Sequence, residues 1–153
     1  MKHRLVTLLV LLLLSQPGQA GVPEWFYQSI KVDNPNQLAY WTKAAASCPV
    51  TTTDVEDIIE GVFIRSRVKP LKLIEFEPEN IYLEVSLSCF EQNENHFVYD
   101  FSIHFSRALP YPSVKFNWDF GYLGIGNGSA ITIAIKGRVE DAITEYIKVN
   151  FDL

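Results

Sequence analysis

His104 is the residue in this sequence with the most acid–base chemistry within reach. It lies in an alternating run in which Phe97, Tyr99, Phe101, Ile103 and Phe105 are interleaved with His96, Val98, Asp100, Ser102 and His104. A second run interleaves Ile81, Leu83, Val85, Leu87 and Cys89 with Tyr82, Glu84, Ser86, Ser88 and Phe90. Side chains two apart share one face of a strand. If the two runs pair as a hairpin, Tyr82 or Glu84 comes near His104, with Lys115 on its other side and Asp119 near Asp100. An imidazole among the carboxylates Glu84 and Asp100 is a candidate general acid–base group for a small envelope hydrolase. The plainer reading of the same residues is a solvated sheet face with cross-strand charge pairs.

Other chemistries find less support. His96 would stand roughly 26 Å from His104, eight residues at ~3.3 Å each, so one metal cannot take both, and no metal site is expected. Gly-x-Ser-x-Gly does not occur, so Ser102 or Ser106 has no recognisable nucleophile setting. Gly121, Gly124, Gly126 and Gly128 precede Ser129, but the dinucleotide fingerprint would want glycine at position 129. These glycines read as a tight exit from the sheet, and no cofactor is expected. Arg65, Arg67 and Lys69 alternate, as on a solvated strand edge. Asn127-Gly128-Ser129 fits the N-glycosylation pattern.

Cys48 and Cys89 are the only cysteines. In an exported chain such a pair reads as one disulfide. It closes a loop of about 40 residues and contributes ~3–4 kcal/mol in the chain-entropy account. Export is indicated by residues 1–20. Lys2, His3 and Arg4 precede the apolar run Leu5–Leu14, and Gly18 and Ala20 supply small residues before a cut. This is the pattern of a secretory signal peptide cleaved after Ala20. The run is about half of the ~20 residues a span takes, so no membrane span is expected after cleavage.

The remaining chain, 21–153, is long enough for a single domain. Without Lys2 and Arg4 the 13 basic residues fall to 11 against 18 acidic ones, a formal charge of −7. An acidic balance argues against nucleic acid as a partner.

The elements that would position these residues follow from periodicity. Trp25-Phe26-Tyr27 reads as a peripheral strand packing back on the domain, or as a binding patch. Leu38, Trp41 and Ala45, with Ala44 and Ala46, predict a short helix over Asn36–Ser47. Val55, Ile58, Ile59, Val62 and Phe63 predict an amphipathic helix capped by Thr52 or Thr53. Leu71–Phe76 reads as a strand, followed by the hairpin over Ile81–Ser106. Pro110-Tyr111-Pro112 is a loop, and Val114, Phe116, Trp118 and Phe120 give a further strand. Residues 130–149 predict a closing helix capped by Ser129, although Ile131, Ile133 and Ile135 alone fit a strand equally.

The expected class is α+β: about four antiparallel strands with N-terminal helices and a C-terminal helix packed on one face. The function expected is that of a secreted or periplasmic, non-enzymatic protein binding another protein or a small apolar ligand. Trp25, Phe26, Tyr27 and Tyr111 are the candidate contacts. The His104 hydrolase is the alternative, and a structural subunit completed by self-association is a third class.

Overall fold

The computed structural model describes residues 22–72, 81–107, 114–116, 118 and 120–151. The leader over residues 1–20, the 110–112 loop with Tyr111, and Asp119 lie outside them. Within the described chain the order is α1 (Glu24–Ile30), β1 (Gln37–Ala44), α2 (Thr52–Arg65), β2 (Lys69–Lys72), β3 (Ile81–Asn93), β4 (His96–Arg107), β5 (Val114–Lys115), β6 (Tyr122–Gly126) and α3 (Gly128–Asn150). The class is α+β, with a mixed sheet ordered β2-β1-β3-β4-β5, in which β6 also pairs with β4.

The hairpin β3–β4 is antiparallel and is the longest pairing in the sheet. Leu83, Val85, Leu87, Phe101, Ile103 and Phe105 are buried on one face, as the alternation predicts. Against that face pack Val55, Ile59, Val62 and Phe63 of α2 and Ile131, Ile135, Val139, Ala142, Ile143 and Tyr146 of α3. Both stripes recur at helical spacing, so each helix buries one side and leaves the other wet. Thr51 caps α2 in a reciprocal box with Asp54, one residue earlier than Thr52. Asn127, not Ser129, caps α3, accepting from the Ala130 N–H at 3.0 Å.

Several local expectations are corrected. Residues 37–44 form a strand, not a helix. β1 lies between β2 and β3 and is parallel to both. Leu38 and Tyr40 face the helices, and Ala39 and Trp41 the opposite side, so apolar residues occupy both faces and the period of two is blurred. Trp25-Phe26-Tyr27 is helical. Phe26 and Ile30, four apart, turn inward, and the Ser29 hydroxyl bonds to the Trp25 carbonyl at 2.8 Å. The glycine-rich stretch does not end the sheet, because Tyr122–Gly126 adds a strand to β4. β2 begins at Lys69 rather than Leu71. Among the described residues of the next expected strand, Val114–Lys115 is regular, and Phe116 and Phe120 donate backbone hydrogen bonds to Phe105 and Ile103.

Cys48 and Cys89 are bonded, with Cα atoms 5.0 Å apart. The bond fastens the turn after β1 to β3. Beside it, the Ala45 N–H donates to the Leu87 carbonyl at 2.9 Å and the Ser47 hydroxyl to the Cys89 carbonyl at 2.8 Å.

Candidate functional site

The three helices of the described residues use one face of the sheet, and those residues leave the other face open. Its chemistry is set by strand register. Glu84 stands opposite His104 on β4 and beside Trp41 on β1. Ser106 stands opposite Tyr82 and beside Lys115. The Glu84 side chain leans across β4, and its Oε1 meets Lys115 Nζ at 2.5 Å. Ser106 has no exposed surface and donates to Glu84 Oε2 at 3.3 Å. Its small side chain lets the longer pair pass over it. Lys115 Nζ also lies 3.4 Å from His104 Nε2.

Glu84 is only 6% exposed, whereas the Lys115 side chain is half-exposed. A buried carboxylate needs a cation and hydrogen-bond donors to remain charged, and Lys115 and Ser106 supply both. Asp100, four residues from His104 on the same strand, is ~13 Å away along it and pairs in register with Ser88 and Leu123 instead. The geometry brings together Glu84, His104, Ser106 and Lys115, and does not bring Asp100 to them. Among the described residues no group of three His, Cys, Asp or Glu could hold a metal ion.

The far end of the same face is apolar. Register places Phe90, Val98 and Ile125 in one row across β3, β4 and β6, with Leu123 in the next row. Phe90 is 72% exposed, Leu123 69% and Ile125 66%. The sequence offered a signal for the last pair, Leu123 and Ile125 alternating with Gly124 and Gly126, that the reading of a glycine exit passed over. Gly124 is required by packing. A Cβ there would lie 2.6 Å from both the Tyr99 hydroxyl and the Tyr122 ring. Trp41 also lies on this face beside Glu84, a place that a helix over residues 36–47 does not give it.

The aromatic triplet separates. Phe26 is fully buried against Phe105, Trp118 and Phe120 and is a core residue. Tyr27 donates to Glu145 Oε2 at 3.0 Å, which holds α1 to α3. Trp25 alone of the three is exposed. Elsewhere a cleft of about 330 Å³ is lined by Lys31, Asp33, Gln37, Leu38, Ile81 and Arg107 among others. That mixed lining is unlike the mainly apolar cavities that take small ligands.

No protein family matches the sequence, and no curated protein matches it. Among solved structures, the crystal structure of a minor lipoprotein from Acinetobacter baumannii aligns with a TM-score of 0.34 at 8% identity. The alignment covers 76% of this chain and 94% of that one. A score at that level does not establish a shared fold.

Proposed function

We propose that this chain is an exported, single-domain, non-enzymatic binding protein whose contact surface is the open face of its sheet. The observation that supports it is the row of Phe90, Val98 and Ile125 on a face that no helix among the described residues covers. Large apolar side chains grouped on a surface mark interaction sites more often than isolated ones do. At the other end of the face, Lys115 and His104 offer hydrogen-bonding groups, giving the apolar centre and polar margin of a protein interface. Exposed side chains grouped across neighbouring strands favour a protein partner over a small apolar ligand, which is usually held in a cavity. The disulfide agrees with an oxidising compartment, and no helix among the described residues is long and apolar enough to cross a membrane. The Glu84–Lys115 ion pair weighs against the hydrolase reading.

The test places a photo-crosslinking side chain at Phe90, and in a control at the exposed Lys136 of α3, in protein exported to a periplasm. A discrete adduct at Phe90 and none at Lys136 is expected. No adduct at Phe90 removes the open face as the contact surface. The denatured mass of the same sample reports cleavage after Ala20 and the loss of two hydrogens to the disulfide.

A further inference from the structure

The two edges of the sheet are built differently. β2 reads Lys-Pro-Leu-Lys, carrying the charges and the proline that discourage strand addition. β6 reads Tyr-Leu-Gly-Ile-Gly and carries no charge and no proline. Among the described residues no strand pairs with β6 on the side away from β4.

The phase of the ladder shows which groups face that open side. Residues along an antiparallel strand address their two neighbours alternately. Phe120 donates to the Ile103 carbonyl at 2.9 Å and Phe116 to the Phe105 carbonyl at 3.0 Å. The odd-numbered residues of β4 therefore address β5 and β6. In register, Phe97, Tyr99 and Phe101 oppose Gly126, Gly124 and Tyr122. Leu123 and Ile125 accordingly direct their N–H and C=O groups away from the sheet.

From this edge we infer that β6 pairs with β6 of a second copy of this chain, antiparallel about a two-fold axis at Gly124. The strand is self-complementary. Leu123 then meets Ile125 of the partner subunit, and Ile125 meets Leu123 of the partner subunit, each pair exchanging both N–H···O=C bonds. No charge is set against a like charge within the strand. Five residues of strand bury less than the ~1,200 Å² that stable interfaces take, and the helix layer supplies a second contact at the same edge. Tyr122, Ile133, Ala134, Gly137 and Arg138 line an open groove of about 380 Å³ beside β6. Ile133 is exposed, and nothing stands within 4 Å of a Cβ built at Gly137. The two-fold axis brings this side of α3 against its symmetry mate, where Arg138 and Asp141 are already paired within the chain at 3.2 Å and Glu140 with Arg65 at 3.1 Å, so no unbalanced charge opposes the contact. The pairing uses the backbone of β6 and the side of α3, apart from Phe90 and Val98, although the Leu123 and Ile125 side chains border the open face as well.

Sedimentation of the exported protein from about one to a few hundred micromolar tests the pairing. A reversible dimer is expected for the natural sequence, and the I133K variant, altered on the α3 side of the seam and away from the open face, is expected to be monomeric with an unchanged far-ultraviolet circular dichroism spectrum. A monomer throughout the range overturns the pairing, and so does a variant that still dimerises. If the variant fails to fold, hydrogen exchange on the natural sequence decides the matter. Protection of the Leu123 and Ile125 amides that falls on dilution supports the pairing, and exchange independent of concentration overturns it. The outcome stays separate from the Phe90 test, because a crosslink there to a different protein leaves the edge result standing.

Discussion

Glu84 and Lys115 meet at 2.5 Å although β4 lies between their strands. The pair spans three strands on the open face, and only the small Ser106 beneath makes room for it. Removing the cation leaves a buried carboxylate that keeps the Ser106 hydroxyl donor but loses its counter-charge. Lys115→Met is expected to destabilise the fold by ~1–3 kcal/mol, below the usual loss for a fully buried pair because Lys115 is half-exposed. Glu84→Gln removes the charge but keeps the shape, so it is expected to cost less. Urea denaturation of both variants checks the order, and equal losses would show that the charge is not what matters there.

Two backbone positions carry avoidable cost. Arg67 has φ 59°, the left-handed region. It follows α2 where the Arg67 N–H bonds back to the Ile64 carbonyl and the Val68 N–H to the Phe63 carbonyl, a helix ending that glycine suits best. Arg67→Gly is expected to raise stability by ~0.5–1 kcal/mol. Gly137 sits inside α3 with open space where a side chain would go, and Gly137→Ala is expected to gain a similar amount. Higher urea midpoints with unchanged slopes check both.

The disulfide joins residues 41 apart in sequence. Replacing Cys48 and Cys89 together with serine is expected to cost ~3–4 kcal/mol, which lowers the melting temperature by roughly 10 °C in a domain of this size. Calorimetry of the oxidised protein beside the double variant measures it. A loss below about 1 kcal/mol would mean that the backbone and Ser47 bonds to β3 already hold the turn.

Alkaline pH acts through buried phenols. Burial pushes Tyr40, Tyr99 and Tyr146 above the ordinary tyrosine range, helped at Tyr40 by its hydrogen bond to Glu60 and at Tyr99 by nearby Tyr122. The folded state holds these protons more tightly than the unfolded state. Their contribution is therefore complete below the ordinary pKa of ~10 and is lost as pH rises above it. Absorbance titration near 295 nm is expected to show these phenols ionising late, together with unfolding. Full ionisation of a still-folded protein near pH 10.5 would contradict that.

The parts of the fold legible in the sequence are those whose two faces differ in polarity. Leu83, Val85 and Leu87 alternate with Glu84, Ser86 and Ser88, and the hairpin follows. Val55, Ile59, Val62 and Phe63 make one stripe, and α2 follows. β1 reads as a helix in the sequence because, flanked by strands on both sides, it buries Ala39 as well as Leu38 and Tyr40, while alanines just beyond it carry helix propensity. Tertiary pairing overrode that local preference. In the site, the neighbourhood of Glu84, His104 and Lys115 could be reasoned from alternation. The burial of Glu84 and the loss of Phe26 to the core could not, since both depend on how α1 and β5 settle on the sheet.

The last helical residue secures the first helix. Asn150 donates to the Ile30 carbonyl at 3.0 Å and accepts from the Val32 N–H at 2.9 Å, standing in for the backbone of a further turn at the end of α1. β1 likewise waits for β3 to supply a partner on one side. A growing chain thus has no final place for its earliest segments until its latest are made. Contacts so distant in sequence slow folding, and a truncation removing only the end of α3 would be felt at the opposite terminus, as a loosened Phe26.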